Sequence, residues 1–319
     1  MKNRIINFLN IENKNKLVMK GDNLVDESNG KIIAPIVDGI PRFVKTTNYA
    51  DSFGVQWNHW ENNLSSIRNP DFGHHNVLIE RTKFDKLDTS GKTILECGAG
   101  GGDDTEVLCS LPFSEIHSFD LSNSINRSKK YISDKRVVLS QASIYDIPYE
   151  NEIFDFVFCH RVLQHTPNPI LSLKSICKKV KPGGYLFAHS YNRTKIRMSE
   201  WRYKYLWLTR HLPLSFIKAY VYIFGYPLHK LTDFLSNYYF GKKFAYKYIP
   251  FYYFKDVDKK LTQREIIDIK RLITFDALTP AFDSPITNED FINTIVDAGF
   301  EIIHSTARNR SQWCTAMKK

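Results

Sequence analysis

No cysteine occurs before Cys97, and none of the five in the chain (97, 109, 159, 177 and 314) stands in a C-x-x-C pair. That spacing points to neither a zinc site nor a disulfide framework, so no metal and a reduced, cytoplasmic setting are expected. No uninterrupted run reaches the roughly 18 apolar residues that a membrane span needs. The nearest, FIKAYVYIFGYPL, carries Lys218 and Pro227. The first residues, MKNRIINFLNIENKNK, start basic but have no apolar core of signal-peptide length, and no secretion signal is expected. Acid is also short: 34 Asp and Glu stand against 44 Lys and Arg, a net charge of +10. Such a balance suits anionic partners, whether nucleic acid, an acidic lipid surface or a phosphorylated substrate. There is no internal repeat.

What is present is globular. Of 319 residues 43% are hydrophobic and 24% charged, ample for one large domain or two small ones. The stretch TILECGAGGGDD, Thr93 to Asp104, is a buried strand ending on Glu96 and breaking into a loop with glycines at alternate positions, Gly98, Gly100 and Gly102. A dinucleotide loop would place a third glycine where Asp103 stands, with its pyrophosphate on the helix N-terminus. Two carboxylates at that helix start, Asp103 and Asp104, would repel a pyrophosphate. The loop therefore reads as one for a nucleotide without phosphates, S-adenosylmethionine, with Glu96 near its ammonium group. A merely tight turn would need the same glycines.

Downstream, short apolar runs alternate with helical segments, as a parallel α/β sheet requires. Strands are expected at 114–122, 136–142, 154–163 and 185–191, with a helix from about Pro169 to Lys179 ended by KPGG (181–184). TNEDFINTIVDAG, with Thr287 as cap and Gly299 as stop, reads as a further helix. Two last strands would close the sheet as an antiparallel pair. The expected architecture is a doubly wound, Rossmann-like sheet of seven mostly parallel strands with an antiparallel last strand. Residues 1–85 form an N-terminal extension whose IAPIVDGIPRFV suggests a small β unit with a D-G turn. Residues 86–192 and 286–319 make the main domain, and 193–285 an aromatic, basic helical insert. Between Trp201 and Phe254 lie 20 of the chain's 44 aromatics and eight Lys and Arg against one acid, Asp233. Leu212, Phe216 and Tyr220 read as one buried stripe of this insert.

With these motifs the chain resembles the class I S-adenosylmethionine-dependent methyltransferases over about 85–192 and 285–319. The first motif of the family stands as ECGAGGG, and with it come Glu96, Gly98, Ala99, Gly100 and Gly102 as cofactor-binding residues. The second stands as HSFDLS, where Asp120, followed by Leu121, would accept from both ribose hydroxyls; capping the next helix is the alternative. The third runs through QASIYDIPYENEIFDFVFCHRVLQHTPNP. It implies Ala142, Ser143 and Ile144 at the adenine, with Ser143 where many relatives carry an acid, and Cys159 at the end of the fourth strand. YADSFGVQWNHW (49–60) resembles a narrower bacterial subgroup linked to cell-surface polysaccharide or secondary-metabolite methylation, although NNLSSI (62–67) replaces its Gln-Leu-Asp stretch. DGIPRF (38–43) resembles the tail of a small domain that elsewhere carries a cysteine zinc site, which here must stand without metal.

Methyl transfer at a sulfonium is in-line displacement, so positioning supplies most of the rate. An oxygen or nitrogen nucleophile adds the need for a base. His165 is the first candidate and His160 the second; His165 could equally brace the loop before Pro167. Gln56, Trp57 and Phe53 could close over the cofactor, whose cationic sulfur an aromatic face attracts, or could pack in the core. The resemblance implies an enzyme acting on a small-molecule or glycan acceptor; the insert's place after the fifth strand reads as a lid, and its basic and aromatic residues suit a lipid-linked acceptor met by peripheral contact at a membrane. An RNA methyltransferase is the second reading, but neither a nucleobase motif of the Asn/Asp-Pro-Pro-Tyr type nor an RNA-binding module appears. A non-catalytic scaffold is the third, and the intact Glu96, glycines and Asp120 argue against it.

Overall fold

The computed structural model describes residues 7–45, 47–59, 74–252 and 262–319. Trp60, NNLSSI, Phe254 and the first basic residues of the chain lie outside this set. Two sheets organise it. The first is a small antiparallel unit of β1 (Leu17–Lys20), β2 (Asn23–Asp26), β3 (Ile32–Val37) and β4 (Ile40–Pro41), in that order. Asp38 and Gly39, both at positive φ, make the tight turn between β3 and β4. The strands β1 and β2 are too short and polar to be read from alternation alone. With no cysteine in this unit, its centre is a carboxylate. Fully buried Asp26 accepts from the side-chain amides of Asn10 (2.8 Å), Asn13 (2.8 Å) and Asn15 (3.1 Å), and from the Ser28 amide (2.9 Å) and hydroxyl (2.6 Å).

The second sheet has seven strands: β5 (Thr93–Cys97), β6 (Glu115–Asp120), β7 (Val137–Gln141), β8 (Phe154–Cys159), β9 (Val180–Ser190), β10 (Phe300–Ala307) and β11 (Gln312–Lys318). Their spatial order is β10-β11-β9-β8-β5-β6-β7. β5 to β9 run parallel, and β11 pairs antiparallel with both β9 and β10, so β11 alone runs against the rest. Every residue of β5 and β8 is buried, as helices on both faces demand. One face packs Phe84, Val107, Leu108, Phe113 and Phe156; the other packs Leu173, Ile176, Phe291 and Ile295. The N-terminal unit docks on the β7 edge, where the Phe43 amide donates to the Gln141 carbonyl at 2.8 Å.

The helices ahead of the second sheet are α1 (Asp51–His59) and α2 (His74–Thr82); α3 (Asp103–Cys109), α4 (Ile125–Tyr131) and α5 (Pro169–Cys177) connect its strands. Asn168 caps α5 by accepting from the Leu171 amide, with Pro169 in the first turn where its missing N–H costs nothing. β9 begins at Val180 and runs through KPGG, which sequence reading took as a helix terminator. Gly183 at φ +74° lets the strand bulge between Phe154 and Phe156 of its neighbour and continue.

After β9 come α6 (Lys195–Met198), α7 (Trp201–Thr209), α8 (Leu214–Ile223), α9 (Gly225–Leu235), α10 (Tyr239–Tyr248) and α11 (Gln263–Leu278), then α12 (Asn288–Asp297). These insert helices share a core of Trp201, Ile217, Val221, Leu272 and Phe275, against which Trp57 of α1 packs. Of the expected stripe, Leu212 and Tyr220 are half-buried and pack on this core, whereas Phe216 is 61% exposed; the fully buried face of α8 is Ile217 and Val221.

Candidate functional site

Running β5, β6, β7 to one side and then returning with β8 on the other side makes the carboxyl end of β5 a topological switch point, where open α/β sheets bind ligands. The glycine loop leaves β5 there. Gly98 and Ala99 donate to the Phe119 carbonyl (2.8 and 2.9 Å), and Gly100 donates to Asp120 Oδ2 at 2.8 Å. A Cβ on Gly98, already at φ +84°, would collide with Val162, and one on Gly101 with the Arg127 guanidinium. Arg127 Nη1 donates to the Gly101 carbonyl at 2.9 Å and Ser128 Oγ to the Gly100 carbonyl at 3.0 Å. The Trp57 indole lies on the loop, 3.4 Å from where a Gly100 Cβ would stand, with Arg127 5.6 Å from its ring centroid. Gln56, beside it on α1, is buried.

The acids around the loop differ in environment. Glu96 is 1% exposed; its Oε2 accepts from Thr105 and Ser118, each at 2.6 Å, while Oε1 has no partner among the described residues. Burial pushes its pKa up to about 8, against those two hydroxyls. Asp120 ends β6 half-exposed, and its Oδ1 also accepts from the Ser122 amide and hydroxyl, both at 2.7 Å. It therefore clips the loop and turns the chain, with lone pairs left on each oxygen. Leu121 offers its carbonyl to Asn48 and Gln141. Asp104 does not face the loop: it binds His160 Nδ1 and His74 Nε2, both at 2.8 Å, and Asp103 sits 3.7 Å from Arg127. Both carboxylates are held by local partners, so the repulsion argued from sequence weakens as a reason against a pyrophosphate.

Ala142, Ile144 and Cys159 are buried in the main core, leaving mainly backbone to face a ligand; the Ala142 amide donates to the Asp120 carbonyl at 3.1 Å. Ser143 is half-buried, and its hydroxyl accepts from the Tyr145 amide at 3.2 Å.

The two histidines stand apart. His160 is 4% exposed, with Nε2 3.5 Å from Arg81 and its ring 4.9 Å from that of His189. Burial lowers its pKa to about 4 in spite of Asp104, so it is a neutral ring donating Nδ1–H to that carboxylate. His165 is half-buried in a short 3₁₀ turn and contacts the carbonyl of Phe282 through Nδ1 at 3.1 Å. A carbonyl accepts only, so Nδ1 carries a proton, and the neutral tautomer that fits this contact has its lone pair on Nε2. Phe53 (5.0 Å) and Tyr191 (5.6 Å) flank the ring, and Tyr49 packs edge-on against Phe282 at 5.5 Å.

Sequence reading missed the polar group behind this aromatic ring. Arg197 stacks on Tyr191 at 3.8 Å and donates from Nε to the Tyr203 hydroxyl at 2.8 Å, which donates to Asp283 at 3.1 Å. Asp283 also pairs with buried Arg202 at 2.9 Å. Its members span nearly a hundred residues with no shared motif, so no local signal could have collected them. Among the described residues no cluster of three or more His, Cys, Asp or Glu is arranged to hold a metal ion.

Residues 95–188 match the family model described as a methyltransferase domain. Over 113 residues the chain is 31% identical to a ubiquinone biosynthesis O-methyltransferase of Xanthomonas oryzae, covering 34% of this chain and 47% of that protein. Over 121 residues it is 33% identical to the mitochondrial ubiquinone biosynthesis O-methyltransferase of Candida albicans, covering 36% and 37%. The chain thus spans less than half the length of these curated relatives. The solved magnesium protoporphyrin IX methyltransferase of Synechocystis superposes with a TM-score of 0.47 at 10% identity, over 85% of this chain and 97% of that one.

Proposed function

We propose that this chain, whose residues 95–188 form a class I S-adenosylmethionine-dependent methyltransferase domain, transfers a methyl group from that cofactor to a small-molecule acceptor held beside His165. The observation that carries the reading is the β5 loop: a glycine turn clipped to a half-exposed Asp120, above a buried Glu96 whose Oε1 lacks a partner. These residues fit the cofactor. Asp120 has lone pairs for the two ribose hydroxyls, Ser143 and the backbone of Ala142 and Ile144 border the adenine side, and an ammonium near Glu96 would return that acid to its ionised form. Gln56 and Trp57 on α1 would cover the sulfonium, to which an aromatic face contributes roughly 0.5–2 kcal/mol. When bound, the cofactor supplies an electrophilic methyl on sulfur; the chain's task is to hold an acceptor oxygen or nitrogen in line with it. His165, with Nε2 unprotonated, takes the acceptor's proton, while His160 is held by Asp104 and Arg81 and serves to position the loop.

In this reading 193–285 is the lid that chooses the acceptor, covering the carboxyl edge through α1. The similar proteins are named for O-methylation in ubiquinone biosynthesis, and the exposed aromatics of the insert support an apolar, lipid-linked acceptor over a free glycan. Titration calorimetry tests the core of the reading. S-adenosylhomocysteine should bind, NAD should not, and Asp120→Asn should weaken binding by about 1–3 kcal/mol through lost acceptor capacity. NAD binding with no response to S-adenosylhomocysteine would overturn it.

A further inference from the structure

The insert leaves its apolar side chains in water. Fourteen of the 25 exposed large apolar residues among those described lie between Trp207 and Tyr248, in α7 to α10. Several are mostly uncovered: Trp207 65%, Phe216 61%, Ile223 66%, Tyr239 69% and Phe240 80%. A folded monomer does not ordinarily concentrate apolar surface in this way unless something covers it. Beside the core shared with α11, the buried core under α9 and α10 is small: Ala245 with Ile249 and Phe251 just past the end of α10.

Charge says what that cover is. Lys204, Arg210, Lys230, Lys242, Lys243 and Lys247 are exposed among these aromatics, and Asp233, the single acid of the stretch, is engaged by Lys270 at 3.0 Å. Lys204 lies 3.8 Å from the Tyr248 ring and Lys243 4.3 Å from that of Tyr239. Short helices that pair tyrosine and tryptophan with lysine at their rims match the interfacial zone of a bilayer, where rings settle at headgroup depth and ammonium groups meet lipid phosphates. None of the described helices is long and apolar enough to cross a membrane, so contact would be made by lying on it. Aliphatic and phenyl groups as exposed as Ile223 and Phe240 gain little from a nucleic-acid backbone but a full transfer energy from acyl chains.

We propose that α7 to α10 form a docking surface for an anionic lipid bilayer. The inference rests on the surface itself and stands whether or not the methyl-transfer reading holds. α1, the helix over the glycine loop, meets this insert through Trp57 and through a 3.1 Å contact of His59 with Tyr222. Docking would therefore bring the candidate acceptor site next to the membrane.

Flotation of the full chain with phosphatidylcholine vesicles, with and without 30% phosphatidylglycerol, is the test. Binding should require the anionic lipid and fall steeply between 50 and 300 mM salt, since salt screens the attraction of basic groups to such a surface. Lys242→Glu with Lys243→Glu, and separately Phe240→Ser with Tyr239→Ser, should each lower partitioning about tenfold or more. An unchanged melting temperature would show that these variants fold. The proposal is overturned if the native chain stays off anionic vesicles at low salt, or if both double variants float like the native chain. It is equally overturned if the same substitutions abolish instead a homodimer or an RNA complex while vesicle binding is absent. S-adenosylhomocysteine affinity, measured on the same samples, reports separately on the methyltransferase reading.

Discussion

His165 and His160 show what decides a side chain's chemistry. Both follow the same strand within a few residues, yet one is sealed against Asp104, Arg81 and His189 and the other opens between Phe53 and Tyr191. His165 has its tautomer set by the Phe282 carbonyl, leaving the nitrogen that a base needs. Its replacement by alanine is expected to slow single-turnover methyl transfer about a hundredfold or more, measured on the acceptor that a labelled-methyl assay identifies. Cofactor affinity should stay within twofold or so, because no contact with the loop is lost. An alanine variant with native turnover would return His165 to bracing the loop.

Among the elements, the N-terminal unit joins the main core through Phe8, Leu17, Leu24 and Ala34 and adds one buried carboxylate to that packing. Asp26 gathers donors from Asn10, Asn13, Asn15 and Ser28 and so joins the chain before β1 to the end of β2. Those hydrogen bonds, the Ser28 hydroxyl first, hold its pKa far below the ordinary carboxylate range. Because the folded value lies below the unfolded one, the stabilisation is present above about pH 4 and is lost as pH falls through the window beneath it. Hydrogen exchange of the β1–β3 amides should accelerate between neutral pH and pH 3, after correction for intrinsic rates, more than that of β5 and β8. Asp26→Asn should loosen the same amides already at neutral pH, since an amide oxygen offers half the acceptor sites and its NH₂ faces other donors. Equal protection of β1–β3 in native and variant chains would show that apolar packing alone holds the unit.

The whole molecule sets the helical insert against the glycine loop through Trp57 of α1, and the Ser284 amide donates to the Gln164 carbonyl at 2.8 Å. If the insert chooses the acceptor, replacing 201–252 by a short linker should leave S-adenosylhomocysteine binding within about tenfold, since the remaining contact is Trp57's aromatic face, while transfer to the native acceptor disappears. Retained transfer by a folded deletion would refute the lid.

The doubly wound sheet was legible in the sequence because its signals are local. Fully apolar runs make buried strands, glycines at φ > 0 make the loop after β5, and Asn168 and Thr287 cap helices within three residues of their partners. The glycine loop and Asp120 could be placed at one edge for the same reason, each ending a strand whose neighbours follow from parallel order. Where a local signal misled, as with KPGG and Phe216, sheet pairing and the packing of α8 on Ile217 and Val221 overrode it. Tertiary structure alone decided which histidine is open, that Asp103 lies beside Arg127 while Asp104 accepts from His160, and that Asp283 meets Arg202. It alone also decided which of the insert's aromatics stay in water. Each of these depends on groups tens of residues apart meeting in space, and a pairing set by sheet closure leaves no periodic trace along the chain.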